Sequence, residues 1–479
     1  MQNLRMRLPT DFFDSVWVTG LLLAGTALVI SMSTLESTRL GVFIGIGYLA
    51  VVFTFLKPKF LFYLFLILIP VGGTAFVDQS ILPLPGAKPL NLLALVVIVT
   101  TFVHKGGAGR IPKGALPFAV VTLGLFALSF AASLPHLDDI NAASVTKLDM
   151  DRYILSAFLK PVIFFIPFFV ILRAFSKEND VGAVLGALVF STLVLSLMIA
   201  FLYFKGGAPR GMRETADVYR LVLGSHRNEL GTFYILAVPA AIARMYTRRN
   251  LTSVLSTCVI LMSLALLYSR SAYFAVLFAI AVQLFLTKRM KWLPIAAGAV
   301  SIILLIWPTT LERASTGIGA GDADTLLAGR VAGLWVPLLR EYASDPSALL
   351  FGRGRYAILS TEIVGRGGIL QVDHPHNMFL EMVLDAGILA LAVVMIFYFR
   401  ILRQTYRAVR KGSETAFHDY HCAVLAALVG YLVSGMTDRS LFPRYDNGFL
   451  WALWALAMRM NLFVEERSRE RSDAHPVPD

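Results

Sequence analysis

Residues 181–204 read VGAVLGALVFSTLVLSLMIAFLYF, twenty-four positions without a charged side chain. At 1.5 Å per residue a helix of this length reaches about 36 Å, more than the roughly 30 Å of hydrocarbon in a bilayer. Charged residues close both ends: Lys177, Glu178 and Asp180 before it and Lys205 after it. The rest of the chain has the same character. Across 479 residues 57% are hydrophobic and only 15% charged, against about 25% charged in an ordinary soluble domain. This composition excludes a soluble enzyme, an intrinsically disordered chain and a disulfide scaffold. The two cysteines, Cys258 and Cys422, lie in hydrophobic runs and read as small core residues. The expected fold is an all-α polytopic membrane protein.

Similar runs recur near 15–35, 41–56, 60–77, 90–103, 115–134, 153–172, 230–243, 251–268, 272–287, 292–308, 377–399, 419–436 and 448–463. Three of them, at 60–77, 90–103 and 230–243, are short or interrupted by Pro70 or Pro239, so twelve to fourteen spans are expected. Arg5 and Arg7 precede the first span with no small-residue cleavage pattern, which makes it a retained signal anchor. With a cytoplasmic N-terminus and alternating spans, Lys and Arg are about twice as dense in the cytoplasmic segments as outside. Runs such as Arg244/Arg248/Arg249 and Lys288/Arg289/Lys291 fall on the cytoplasmic side. The net charge of +12 is then a topology signal and implies no nucleic acid. Both termini are expected in the cytoplasm. The chain reads as one membrane domain over 1–479, with an outer loop at 205–229, a large outer loop or cap at 309–376 and a cytoplasmic tail at 464–479. Within the cap Leu327, Val331, Leu334, Trp335 and Leu338 recur at helical spacing and predict an amphipathic helix at the membrane interface.

The charges on the outer side are lopsided in kind: fifteen arginines against three lysines, Lys88, Lys147 and Lys205. Arginine's planar fork grips phosphate at two points where lysine offers one, so an anionic partner is expected there. The segment Gln371-Val372-Asp373-His374-Pro375-His376-Asn377-Met378-Phe379-Leu380-Glu381 runs straight into a span. A histidine at the membrane surface is neutral near pH 7 and can accept a hydroxyl proton. Glu381 and Asp385 follow one and two turns into the span, where a carboxylate is a functional candidate that orients the histidine or meets an arginine. Lys160 lies about two turns below the outer edge of its span, able to reach an anion or to snorkel to the surface.

These residues resemble a known pattern. His374-Pro375-His376-Asn377, with Leu380-Glu381 and Asp385-Ala386-Gly387-Ile388, is similar to the signature of the O-antigen ligase and polysaccharide polymerase superfamily. Arg330, Trp335, Pro346 and Gly352-Arg353-Gly354 resemble the stretch in that family's large periplasmic loop. Tyr268-Ser269-Arg270-Ser271 and Gly224-Ser225-His226-Arg227-Asn228-Glu229-Leu230-Gly231 resemble two earlier steps between spans. The matches keep the family's order over residues 215–400. Arg227 stands where many relatives have proline, and Ser271 where many have glycine.

The resemblance implies transfer of a glycan from a polyprenyl diphosphate carrier to an acceptor hydroxyl at the periplasmic face of the inner membrane. The acceptor is the lipid A core for a ligase and a growing polysaccharide for a polymerase. His376, directly before Asn377, is the expected general base, with His374 second and Glu381 beside them. Arg270, then Arg330, Arg220, Arg227 and Lys160, are the expected diphosphate ligands. The Asp149/Asp151 and Asp322/Asp324 pairs resemble cation-bridging motifs, but the family argues against a metal, and no metal or cofactor is expected. Two other readings stand beside this one: a polysaccharide or lipid transporter or flippase, and a non-catalytic component of an export complex. A transporter predicts internal repeats and charges near the midplane, whereas the charges here gather at one face.

Overall fold

The protein is described from a computed structural model covering residues 58–78, 88–103, 110–143, 149–205, 212–292, 329–364, 372–411 and 416–474, with Gly86, Pro294, Gly298 and Asp324 besides. The expected spans at 15–35 and 41–56 lie outside these residues. So do most of the span at 292–308, part of the 309–376 cap, Leu327 and Asp322.

The described residues contain helices and no strand. In chain order the main ones are α1 (Pro58–Leu68), α2 (Pro89–Val103), α3 (Ala115–Ser133), α4 (Met150–Ala174), α5 (Glu178–Lys205), α6 (Met212–Leu223) and α7 (Arg227–Arg248). There follow α8 (Leu251–Ala265), α9 (Arg270–Leu286), α10 (Val336–Ala343), α11 (Pro346–Phe351), α12 (Met378–Lys411), α13 (Ala416–Ser434) and α14 (Gly448–Ala474). Helices α3, α4, α5, α7 and α12 are long and apolar enough to cross a membrane, and α1, α2, α8 and α9 are shorter apolar helices at expected spans. The chain is an all-α, multi-pass membrane protein.

Two helices form the centre. In α7 every residue from Leu230 to Ala243 is buried, and in α14 the run Phe449–Phe463 is buried likewise. A helix apolar on all sides belongs inside a bundle, not at its lipid surface. Pro239 does not interrupt α7; its carbonyl accepts the Gln283 side-chain amide of α9 at 2.9 Å. Near the far end of α14 Arg459 is buried and donates to the carbonyls of Arg110 and Leu172, so its charge is held by backbone dipoles. Lipid-facing positions carry the exposed apolar side chains, among them Leu128, Phe201, Phe285 and Phe399.

The cap helix departs from expectation. A π turn over Val331–Trp335 runs into α10, but Leu334 and Leu338 of its stripe pack in a second core with Tyr153, Tyr342, Ile358 and Leu384. The apolar face therefore meets protein, not the membrane interface. Helices α12 and α14 also outrun their predicted spans, the first to Lys411 and the second to Ala474, so much of the expected 464–479 tail is helical. Arg, Gln and Lys are good helix formers and let the helix continue past the membrane boundary.

Helix α12 breaks at Gly387, whose φ of 85° and ψ of 167° are non-helical. The break frees two carbonyls. Leu384 O receives the Arg353 N–H at 2.9 Å and the Tyr342 hydroxyl at 3.1 Å, and Asp385 O receives the Gly354 N–H and the Ser129 hydroxyl, both at 3.0 Å. A Cβ on Gly387 would lie 2.0 Å from Leu350 O. Glycine is required by both conformation and contact, and the Gly352–Gly354 turn is thereby locked into the broken span.

Candidate active site

The loop Asp373–Asn377 is fixed from three sides. Trp335 Nε1 donates to Pro375 O at 2.7 Å, and Met378 N donates to Gly435 O at 2.8 Å. Asn377 caps α12 by accepting the N–H groups of Phe379 and Leu380 at 3.0 and 3.1 Å, the role asparagine favours at a helix start. Between these anchors His376 is held at a φ of 54°, a left-handed conformation uncommon outside glycine.

The two histidines differ in what their nitrogens can do. His374 Nδ1 accepts the His376 backbone N–H at 2.8 Å, and its Nε2 faces Glu381 Oε2 at 3.4 Å. Nδ1 is engaged by the backbone, and Nε2 is buried beside the carboxylate with no hydrogen-bond partner among the described residues. Burial pulls the His374 pKa down, while the Glu381 carboxylate and Asp438 raise it past the ordinary histidine value. His376 has its Nδ1 3.8 Å from Asp438 Oδ1, which leaves its Nε2 as the nitrogen not turned toward the carboxylate. Burial pushes Asp438 up, but the neighbouring His376 and the charges of Arg439 and His374 hold it well below the usual carboxylate range. An ionised Asp438 beside Nδ1 favours the tautomer with its proton there.

Beneath the loop lies a buried ion cluster. Arg355 Nη1 is 2.7 Å from Asp385 Oδ2 and 3.5 Å from Glu381 Oε1, and all three side chains are 8% exposed or less. The rings of Tyr356, Phe442 and Phe126 surround the guanidinium at 5.0, 5.4 and 5.6 Å. Burial pulls the Arg355 pKa down, but Asp385 and Glu381 raise it above the ordinary arginine value. On the opposite wall His226 caps α7, its Nδ1 accepting Asn228 N–H at 3.3 Å while Glu229 reaches back to His226 N at 2.8 Å. Arg444 lies 3.4 Å from both Glu229 and Asp446.

These groups line one cavity of about 440 Å³. Of the expected site residues, His374, His376, Glu381, Lys160 and Arg220 are brought together there, from three segments far apart in sequence. Lys160 sits 3.8 Å from Asp78, and Arg220 is exposed at the end of α6. Arg227, Arg270 and Arg330 do not line the cavity. Arg330 adjoins it beside Asp438, its Nη1 donating to Thr437 O at 2.9 Å; Arg227 acts electrostatically on the cavity residue His226, and Arg270 acts on both Arg330 and Arg227. Arg227 Nη1 is buried with no hydrogen-bond partner among the described residues. Ser269 joins the two upstream steps by donating to Asn228 Oδ1 at 2.9 Å.

Sequence reasoning did not single out Arg355, Asp438 or Arg444. The last two lie in the connector between α13 and α14, where charged residues look like ordinary loop polarity. The signal that was present is their position on the side of the spans expected to face outward.

One donor set bears on metal chemistry. Nitrogens of His374 and His376 and an oxygen of Asp438 lie within 4.8 Å of one another. Such a set suits zinc, but His374 Nδ1 is already occupied by the backbone N–H, and its Nε2 turns to Glu381.

No curated protein matches the chain. Residues 251–395, from the start of α8 into α12, match the family model described as O-antigen ligase. This third of the chain contains the Ser269–Ser271 step, the Gly352–Gly354 turn and the histidine loop, and over these residues the chain is similar to the O-antigen ligases.

Proposed function

We propose that the protein transfers a glycan from a polyprenyl diphosphate carrier to an acceptor hydroxyl, at the periplasmic face of a bacterial inner membrane, with both termini in the cytoplasm. The observation that carries the reading is the single cavity that gathers His376, Lys160 and Arg220 with Asp438 behind the histidine.

The acceptor hydroxyl gives its proton to His376 Nε2 while its oxygen attacks the anomeric carbon. The bond from that carbon to the diphosphate oxygen breaks, and its electron pair leaves with the carrier diphosphate. That leaving group is a weak base, so it needs charge neutralisation more than a proton. Lys160 and Arg220 supply it from the cavity, with Arg227, Arg270 and Arg330 as the adjoining cations. Asp438 positions His376 and stabilises the imidazolium that forms, the part a buried carboxylate plays beside a catalytic histidine. His374 and Glu381 hold the loop. One displacement of this kind inverts the anomeric configuration, and a product with retained configuration would exclude it. Charge neutralisation by guanidinium and ammonium groups makes the transfer metal-independent, so chelation with EDTA is expected to leave the rate unchanged.

The test compares wild type, His376→Ala and Arg270→Ala in a deletion strain at matched membrane expression, with lipopolysaccharide and secreted polysaccharide analysed together. A general base contributes about 10²–10⁴-fold, so His376→Ala is expected to abolish detectable transfer. Accumulation of full-length polymer on the carrier with uncapped lipid A core identifies a ligase; accumulation of single repeat units identifies a polymerase. Full rescue by both variants overturns the mechanism and favours a transporter or export component.

A further inference from the structure

At the other end of α12, some nineteen residues beyond Glu381, the helix carries a second groove. Beyond the break at Gly387 the helix continues to Lys411, roughly 36 Å at 1.5 Å per residue and more than the thickness of the hydrocarbon core, so its basic end sits at the membrane surface opposite the cavity. It has a volume of about 540 Å³ and is lined by Met395, Ile396, Phe399, Arg400, Arg403 and Arg407, together with Gln404.

The two halves of the groove differ. Ile396 and Phe399 are 65% and 67% exposed, a state that fits acyl chains and not water. Arg400, Arg403 and Arg407 follow at helical spacing on the same face, all exposed, and none has an ion pair or hydrogen bond with a described residue. Other arginines nearby are committed: Arg289 is 2.9 Å from Asp419, and Arg410 stacks over Tyr406. No acidic side chain lines the groove. The helix's other face, with Tyr398, Ile401, Thr405 and Ala408, is buried in the bundle, which fixes the direction in which the arginines project.

We propose that this groove is a binding site for an anionic phospholipid of the leaflet opposite the cavity. The acyl chains lie on Met395, Ile396 and Phe399, and the phosphate is held by the guanidinium groups of Arg400, Arg403 and Arg407. A ligand that is apolar over one turn and anionic over the next two, at the depth of the headgroups, has the chemistry of a phospholipid. Guanidinium forks match phosphate oxygens at two points, and basic pockets at a membrane boundary hold such headgroups.

The experiment is native mass spectrometry on the full-length chain in detergent, titrated separately with phosphatidylglycerol, cardiolipin and phosphatidylcholine. Wild type is expected to retain the two anionic lipids in preference to phosphatidylcholine. The triple variant Arg400→Gln/Arg403→Gln/Arg407→Gln is expected to lose that preference by on the order of a hundredfold, about fivefold per arginine near an anionic surface. Arg248→Gln/Arg249→Gln, which removes two exposed cations at the same end of α7, is expected to retain it. Equal retention of phosphatidylcholine by wild type, or undiminished anionic lipid on the triple variant, overturns the site. So does a dimer that the triple variant dissociates, since a second copy would then occupy the face. The readout requires no glycan transfer and is independent of the proposed reaction.

Discussion

The two ends of α12 carry charge in opposite ways. At the end proposed to face outward Glu381, Asp385 and Arg355 are buried against one another, and His374 and Asp438 close the cluster. At the inner end Arg400, Arg403 and Arg407 are exposed and face a groove without acids. A charge removed from water has to be matched by partners at hydrogen-bonding distance, or its desolvation goes unopposed. A charge at the headgroup layer keeps its water and its freedom. The outer end is therefore built so that fold and site depend on the same contacts, whereas the inner end separates them. Substitutions can test that division directly.

The largest expected effect follows from the buried cluster. Arg355→Met leaves Asp385 and Glu381 facing each other without their cation. Breaking a buried pair from one side costs about 3–5 kcal/mol, so thermal unfolding in detergent is expected to fall by several degrees or more, with loss of membrane-inserted protein. Removing the Asp385 carboxylate in the same chain, as Arg355→Met/Asp385→Leu, is expected to recover part of that loss. Unfolding of Arg355→Met at the wild-type temperature would show that the outer end is no more interlocked than the inner one.

A smaller effect separates positioning from folding within the outer end. Asp438→Asn keeps the shape of the side chain and removes the charge that fixes the His376 tautomer. Transfer is expected to drop ten- to hundredfold, the usual range for a group that orients an active histidine, with the unfolding temperature little changed. The loss is expected in kcat more than in KM, because the carboxylate, 3.8 Å from the histidine, serves the proton transfer through it. An Asp438→Asn variant with full kcat removes Asp438 from the mechanism while leaving His376 in place.

The same contrast explains what could be read from sequence. His374, His376 and Glu381 stood out because they occur together where a polar loop enters an apolar run and resemble a family signature there. Lys160 stood out because a charge inside a span is rare. Asp438 and Arg444 were illegible, since their connector is short and its charges resemble any loop; only the docking of Met378 N on Gly435 O brings it to the histidines. Gly387 was hidden differently. It occurs in a signature read for its acid and histidine, within a run whose hydropathy is unbroken, and hydropathy carries no information on φ. The stripe Leu334–Leu338 was read correctly as a helix face and wrongly as a membrane-surface face, because periodicity reports that a face is apolar and not what covers it. The span count falls partly on residues before 58, where the description of the fold does not reach.

The smallest effect concerns acid. His226 Nδ1 works as a hydrogen-bond acceptor at the start of α7, which an imidazolium cannot do. Burial lowers the His226 pKa, and the neighbouring Arg227 lowers it further. A histidine whose folded pKa lies below its unfolded value, near 6.5, contributes full stability above that value. Stability then falls as the pH drops below about 6.5, because the unfolded chain takes up the proton first, and the loss ends once the folded group is protonated too. Asp438, held low, acts in the same sense but in a more acidic window, losing its contribution only below the ordinary carboxylate range. The two are therefore separable by pH. His374, held above its ordinary value, acts in the opposite sense over the same interval, so the cap is read as a difference: between pH 7 and 5 wild type is expected to lose about 1 kcal/mol more than a variant whose cap does not titrate. His226→Asn retains an acceptor at the cap and has no proton to gain, so its decline over that interval is expected to be shallower. An identical slope for the two proteins would assign the acid sensitivity of the outer end to the buried carboxylates of α12 and not to the cap of α7.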